Sequence, residues 1–304
     1  MHLISLLDWD TDTVAKCLEL AHELKAEARA GTLEPTLRDR TLALVFEKAS
    51  MRTRVSFEVA MTQLGGNTVY LSRDDINLGE REPIKDGSRV LSRYVDVVAA
   101  RVYSHDTVTE LAEYADVPII NALSDKAHPC QALADAMTIQ EQVKDPTRGK
   151  VAFIGDANNV SWSLAVVCAR LGWHFVMACP EGYGFKDGAL DEVREIAQDN
   201  GGSIELCHSP EQAADGALVL YTDVWVSMGQ ETETEQRRLD FEEFTVDDAL
   251  LALAAPEAIV LHCLPAHRGE EITNSVIESP ASAVFDQAEN RLHAARALLR
   301  MLVD

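Results

Sequence analysis

Ser50-Met51-Arg52-Thr53-Arg54 sets two hydroxyls and two guanidiniums within one short stretch. That combination suits an oxyanion, because arginine presents a planar fork of donors that matches phosphate oxygens. The apolar run 41–46 before it reads as a buried strand, and the segment after it reads as a helix ended by Gly65-Gly66. Ser50 to Thr53 then lie at a helix N-terminus, where unpaired N–H groups and the positive dipole end also favour an anion. A serine N-cap followed by surface arginines would use the same residues without any ligand.

Further chemistry-bearing stretches also fall at strand ends: Arg101, His128-Pro129-Cys130-Gln131, the run from Asp223 through Ser227, Met228 and Gly229, His262-Cys263-Leu264-Pro265, and Glu289-Asn290-Arg291. Singly, each has an ordinary structural reading. His128 and Asp223 could cap helices, Cys263 could be a packed thiol, and Arg291 could pair with Glu289.

Strands and helices must alternate to place these residues. Helices are expected over 11–30, 86–94 and 106–115, and another from His128 to about residue 143; strands are expected over 41–46, 67–71, 96–102 and 117–121. Residues 72–83 read as a polar loop. The polar, Pro- and Gly-broken segment 144–149 reads as a boundary. Beyond it come strands at 151–155, 175–178, 203–206, 217–221 and 258–262, with helices over 160–171, 189–199 and 286–302. The acidic run 231–235 reads as a solvated helix start. The expectation is an α/β chain of two domains, each a parallel sheet flanked by helices and joined by interdomain helices. The domains would be 1–145 and 146–285, with 286–304 a closing helix packing back on the first. Ligands of such sheets sit beyond the carboxyl ends of the strands. The turn Gly155-Asp156-Ala157-Asn158-Asn159 lacks the second and third glycines of a dinucleotide loop.

The chain has 304 residues, 47% hydrophobic, with 50 acidic and 27 basic side chains and a net charge of −23. That balance argues against nucleic acid or an anionic membrane as a partner. Only 8 of the basic residues are lysine. The excess of acid suits either concentrated salt, where repulsion is screened, or an ordinary acidic enzyme. Residues 48–101 reverse the trend, with nine basic against seven acidic groups, which fits an anionic substrate in the first domain. No apolar run is long enough to span a membrane, and no signal peptide is expected. Six scattered cysteines without a C-x-x-C pair fit reduced thiols in a cytoplasmic protein and argue against a zinc site.

Taken in order, these stretches resemble the aspartate/ornithine carbamoyltransferase family over essentially the whole chain, and within it the ornithine-specific branch. Ser50-Met-Arg-Thr-Arg54 resembles the family's carbamoyl-phosphate signature and His128-Pro-Cys-Gln131 its second. Asp223-Val-Trp-Val-Ser227-Met228-Gly229 and His262-Cys263-Leu264-Pro265 resemble the ornithine motifs.

The resemblance implies transfer of a carbamoyl group from carbamoyl phosphate to the side-chain amine of ornithine, giving citrulline and phosphate, with no metal or organic cofactor. It implies that Ser50, Met51, Arg52 and Thr53 hold the phosphate. Thr53, Arg101 and His128 would face the carbamoyl oxygen, and Gln131 and the Leu264 carbonyl its NH2, with Arg291 reaching the same region. Asn159, Asp223, Ser227 and Met228 would grip ornithine, with Cys263 near the attacking nitrogen. The family works as a homotrimer or multiple of trimers, with Asn77 and Lys85 implied as ligands supplied to a neighbouring subunit. Here Asn77 stands where the family usually has Gln or His, a shorter reach. A carbamoyltransferase for putrescine or N-acetylornithine, or a silent paralogue binding carbamoyl phosphate, are the rival readings. The Ser227-Met228-Gly229 stretch speaks against the first. The presence of Arg52, His128 and Cys263 speaks against the second.

Overall fold

The computed structural model describes residues 1–226 and 231–303. The chain divides into two compact units, 1–134 with 289–304, and 135–288. It passes between them inside helices, not at the polar segment 144–149, which holds only a short 3-10 turn, Pro146–Arg148.

Unit 1 begins with α1 (Thr11–Ala30), capped by Asp10, whose side chain accepts from Thr13 N, and closed by Gly31 at φ 72°. Then follow β1 (Thr41–Phe46), α2 (Met51–Gln63), β2 (Asn67–Ser72), α3 (Arg73–Ile76), α4 (Ile84–Leu91), β3 (Val97–Arg101), α5 (His105–Tyr114), β4 (Ile119–Leu123) and α6 (Pro129–Gln142). The sheet is wholly parallel, in the order β2-β1-β3-β4. β1 is buried along nearly its whole length, as a central strand covered on both faces must be. The N-terminus extends the sheet at β4, with Leu3 N donating to Ile119 O and Leu3 O accepting from Asn121 N. One difference from the sequence reading is α3, inside the expected loop. Ser72 and Asp75 form a capping box around it and Asn77 ends it in the left-handed region at φ 41°. A single turn carries no periodic stripe, so only its caps could have announced it.

Unit 2 runs β5 (Lys150–Ile154), α7 (Asn159–Arg170), β6 (His174–Ala178), α8 (Asp191–Asp199), β7 (Ser203–Cys207), α9 (Pro210–Ala214), β8 (Ala217–Thr222), α10 (Thr234–Asp240), α11 (Asp248–Leu251), β9 (Ile259–His262) and α12 (Asn274–Ile277). Its parallel sheet has the order β7-β6-β5-β8-β9. The short helices α9, α11 and α12 start at Ser209, Asp247 and Thr273, each accepting from a backbone N–H of the first turn. Gly172 lets α7 turn into β6: it sits at φ 68°, and a Cβ there would lie 2.2 Å from Asn200 O. The last helix, α13 (Val284–Val303), starts in unit 2 and belongs to unit 1 from Glu289 onward.

Each sheet reverses its strand order once. In unit 1 the chain leaves β1 for β2 on one side and reaches β3 on the other. In unit 2 the reversal lies between β5 and β8. The crevice outside the carboxyl ends at such a point is where open α/β sheets bind ligands. Among the described residues no helix is long and apolar enough to cross a membrane.

Candidate active site

In unit 1 the reversal point gathers residues from four elements. Ser50 is the N-cap of α2, with extended backbone at φ −154°, and accepts from Thr53 N at 3.3 Å. Its hydroxyl donates to Thr53 Oγ1 at 3.1 Å. Thr53 Oγ1 also accepts from Arg291 Nη2 at 3.1 Å. With both lone pairs engaged, the buried Thr53 hydroxyl has its own proton left to donate. Arg291 reaches in from α13 and donates through Nη1 to Gln131 Oε1 at 2.6 Å. Arg101 ends β3 opposite Phe46, the last residue of β1. Its carbonyl accepts from Glu47 N at 2.9 Å, which ties the turn leading to Ser50 to the end of β3.

His128 sits just before α6, buried. Burial first, and then the charges of Arg291, Arg101 and Arg52, hold its imidazole well below the usual histidine range. It is therefore a neutral ring among three guanidiniums, able to donate a hydrogen bond without carrying charge. Next to it, burial pushes the Cys130 thiol up to about 12. Cys130 stays protonated and donates to Asn121 O at 3.4 Å, a packing role. The Met51 side chain is 72% exposed, so at this helix start it offers its backbone and not its thioether. Asn77 and Lys85 are not brought to this cluster. Asn77 Nδ2 donates to Glu80 Oε2 at 2.7 Å, and Lys85 lies exposed on α4.

In unit 2, Asp223 follows β8 and is 7% exposed. Its Oδ1 accepts from Cys263 Sγ at 3.0 Å and its Oδ2 from Asn158 Nδ2 at 2.9 Å. Asn158 was not among the residues read from the sequence as candidates. It is the N-cap of α7, with Oδ1 accepting from Val160 N and Ser161 N, so a capping search before residue 160 would have found it. Asn159 is the first residue of α7. Ser227 and Met228 lie outside the described residues.

The backbone after Cys263 is unusual, with Leu264 left-handed at φ 59°. His262 holds it there. Leu264 N donates to His262 Nδ1 at 2.9 Å, which places the ring proton on Nε2, 3.0 Å from Glu271 Oε1. The His262 ring and the Glu271 side chain are fully buried. Glu271 Oε1 accepts from His267 N as well, at 2.6 Å. His262 N in turn donates to Gln287 Oε1, and Gln287 Nε2 to the buried Asp135 Oδ1. Neither Glu271 nor Gln287 carried any local sequence signal. Asp223, His262 and Cys263 lie close enough to be compared with a metal site. Both His262 nitrogens, however, are already committed to Leu264 and Glu271.

The family model described as the carbamoyl-P binding domain of aspartate/ornithine carbamoyltransferase matches residues 1–141, and the one described as its Asp/Orn binding domain matches 148–302. This chain belongs to the aspartate/ornithine carbamoyltransferase family. It is 53% identical to the ornithine carbamoyltransferase of Acidothermus cellulolyticus, over 100% of this chain and 96% of that protein. It is 50% identical to the anabolic ornithine carbamoyltransferase of Pyrococcus furiosus, over 99% and 96%. The solved structure of the ornithine carbamoyltransferase from Pyrococcus furiosus superposes with a TM-score of 0.97 at 49% identity, covering 99% of this chain and 96% of that one. The anabolic enzyme from Campylobacter jejuni superposes at 0.94 with 40% identity, covering 99% and 98%. The family and the two-sheet α/β fold expected from the motifs are thus both found.

The state of His128 can be checked directly. A histidine whose folded value lies below its unfolded value of 6.5 resists protonation in the fold. The unfolded chain then binds more protons as the pH falls through 6.5, so this group lowers stability on the acid side and is neutral in effect above it. The His128 Cε1–H resonance is expected to stay flat from pH 8 to pH 6. A midpoint inside that window would contradict a neutral donor.

Proposed function

We propose that this chain transfers the carbamoyl group of carbamoyl phosphate to the side-chain amine of L-ornithine, releasing L-citrulline and phosphate. The observation that carries the ornithine assignment is Asp223, a buried carboxylate whose partners among the described residues are the Cys263 thiol and the Asn158 amide. A group so placed calls for a cation. The α-ammonium of an amino acid supplies one.

Ser50, Arg52, Thr53 and the first N–H groups of α2 hold the phosphate. The neutral amine attacks the carbamoyl carbon, and the carbonyl electron pair moves onto oxygen. Thr53 Oγ–H, Arg101 and His128 stand as donors for that growing charge, which is the strongest catalytic device available to such a site. Gln131 Oε1 and the Leu264 carbonyl accept from the carbamoyl NH2. The tetrahedral species collapses, the C–O bond to phosphate breaks, and phosphate leaves with the bonding pair. Asp223 and Asn159 bind the amino-acid end, with Ser227 and Met228 completing the grip. Cys263 lies by the attacking nitrogen, where the amine's proton must be shed.

The assembly is a homotrimer or a multiple of it, in a cytoplasm, and Asn77 and Lys85 serve a neighbouring subunit. Exposed Met51, Val55 and edge-strand Val69 in unit 1 support association between copies. The six free cysteines suit a reducing compartment. The net charge of −23 and the scarcity of lysine support adaptation to high salt.

Comparing kcat/KM for ornithine, putrescine and N-acetylornithine tests the assignment. Ornithine should win by a wide margin, since sites built on polar groups reject analogues lacking the match by up to ~10⁴–10⁵. Asp223→Asn should depress ornithine turnover and narrow the gap to putrescine. A native preference for either analogue would refute the substrate. Site sharing predicts that mixing Arg52→Ala with Lys85→Ala protein restores some activity through hybrid sites; demonstrated subunit exchange without recovered activity would exclude Lys85. For salt adaptation, thermal midpoint and oligomeric state should both fall on dilution from molar salt into dilute buffer. Full stability and assembly in dilute buffer would reject it.

A further inference from the structure

Besides Arg291, unit 1 holds another buried arginine, which the reaction does not use. Arg296 lies on α13 and is 2% exposed. Its Nε donates to Gln63 Oε1 at 3.0 Å, and its Nη2 donates to the same oxygen. Its Nη1 donates to His293 Nδ1 at 2.7 Å. That leaves the His293 ring proton on Nε2, 3.0 Å from Glu289 Oε1. Burial, with the charge of Arg296 beside it, holds the His293 imidazole below the usual histidine range, against the pull of Glu289. The ring is thus a neutral acceptor that steadies the guanidinium from its own helix. Gln63 is an amide, so among the described residues no carboxylate accepts from Arg296. A buried cation without a counter-charge is a costly way to fill a helix interface, where an apolar side chain would serve stability as well.

The place of Gln63 in the fold gives this contact a consequence. Gln63 is the last residue of α2, and Thr53 is its third. Arg291 Nη2 holds Thr53 Oγ1 at 3.1 Å. Two arginines of α13 therefore grip α2 near both ends, at points about 15 Å apart along its axis. All of these residues belong to unit 1. The gripped helix is the one that begins with Ser50, Arg52 and Thr53. A helix held at one end is fixed at a point but not in direction. It can swing about that point and turn its first N–H groups away from their target. Arg296 is a stiff grip, because two of its N–H groups converge on one oxygen and a third is held by His293.

We propose that Arg296 is a positioning residue for the phosphate-bearing substrate, fixing the axial position and tilt of α2 through Gln63 so that Ser50, Arg52 and Thr53 meet carbamoyl phosphate. The inference rests on the carbamoyl-phosphate reading above. Arg296 itself touches no substrate.

A merely structural contact would change stability and leave the two substrates alike. Positioning singles out the phosphate-bearing one, because a misplacement of about 1 Å costs up to about 100-fold. Gln63 is exposed at the helix end, so Gln63→Ala removes the grip without emptying a core. Gln63→Glu restores an acceptor oxygen and adds a counter-charge. Arg296→Met removes the grip from the other side. Each variant is assayed by steady-state kinetics with either substrate varied and by calorimetric binding of inorganic phosphate, with the thermal midpoint measured alongside. In Gln63→Ala, kcat/KM for carbamoyl phosphate should fall about 10–100-fold. Phosphate binding should weaken with it, while the ornithine KM at saturating carbamoyl phosphate stays native. Gln63→Glu should regain native values. Arg296→Met should match Gln63→Ala, and the double variant should be no worse than either, as for two partners in one contact. A folded Gln63→Ala protein with native phosphate binding overturns the proposal. So does an equal loss of both substrates, or a Gln63→Glu protein as impaired as Gln63→Ala. If Arg296→Met does not fold, the two Gln63 variants decide; if Gln63→Ala also fails to fold, the role is structural and the proposal falls. Native protein is the control. If it binds neither phosphate nor carbamoyl phosphate, the carbamoyl-phosphate reading and this inference fall together, whereas native binding with an unchanged Gln63→Ala protein sinks only the role of Arg296.

Discussion

A guanidinium withdrawn from water keeps its charge, and its five N–H groups need acceptors. Both units are arranged around that requirement. In unit 1 one such buried cation is Arg291, and its partners Thr53 and Gln131 come from α2 and α6. In unit 2 it is Arg237, whose partners come from the β5 turn, the segment after β8 and its own helix. Neither arginine can be satisfied by one neighbouring element. Satisfying them fixes several chain segments at once.

The two sheets explain why those segments meet where they do. Parallel strands all end at one edge, and a reversal of strand order leaves a gap there that no crossover helix fills. In unit 1 the gap receives a helix N-terminus and cationic side chains, an anion-binding set. In unit 2 it receives Asp223 and the start of α7. The Leu264 backbone shows how much structure such placement consumes. A left-handed leucine is costly by itself, on the order of 1–3 kcal/mol. Here it is held by His262, which is held by Glu271, and both of these side chains are fully buried. A chain of dedicated polar contacts for one carbonyl direction makes sense only if the direction matters.

Part of the fold is legible in the sequence. β1 and α1 run over the expected residues because their signals are local: an unbroken apolar run, and a periodic stripe closed by glycine. Ser50, Arg101 and His128 were legible as motif residues at element ends, and Arg291 as a motif residue inside the closing helix. Glu271, Gln287 and Arg237 were not. Their partners are distant in sequence or fixed by packing alone, as with Arg237 and Asp156 at 81 positions' separation. Arg237 also sits just after an acidic run, where an arginine reads as a surface i,i+4 partner. Its contact with Glu233 satisfies that reading, and only the fold reveals the second carboxylate. Asn77 is a different case. The sequence showed a shorter amide than the family norm, and the structure adds a reason for asparagine, which tolerates the left-handed backbone that ends α3.

The acidic composition sharpens the contrast between the two kinds of ion pair in this molecule. Arg148 with Asp145 and Arg194 with Asp191 are pairs between neighbours on exposed surface. Such pairs contribute about 0–1 kcal/mol each and fade with salt. A surface with 50 acidic and 27 basic groups in the chain cannot be neutralised by pairs of this kind in any case. Arg237 with Asp156 is shielded from solvent on both sides. Burial pushes the Asp156 carboxyl up, and the arginine opposes that shift. Breaking a buried pair by removing one partner costs about 3–5 kcal/mol, because the remaining charge is stranded. Added salt screens the first class and barely reaches the second. A rise in ionic strength therefore relieves repulsion across the acidic surface while leaving the arginine-centred contacts intact, so the surface and the site respond to the medium as separate electrostatic systems.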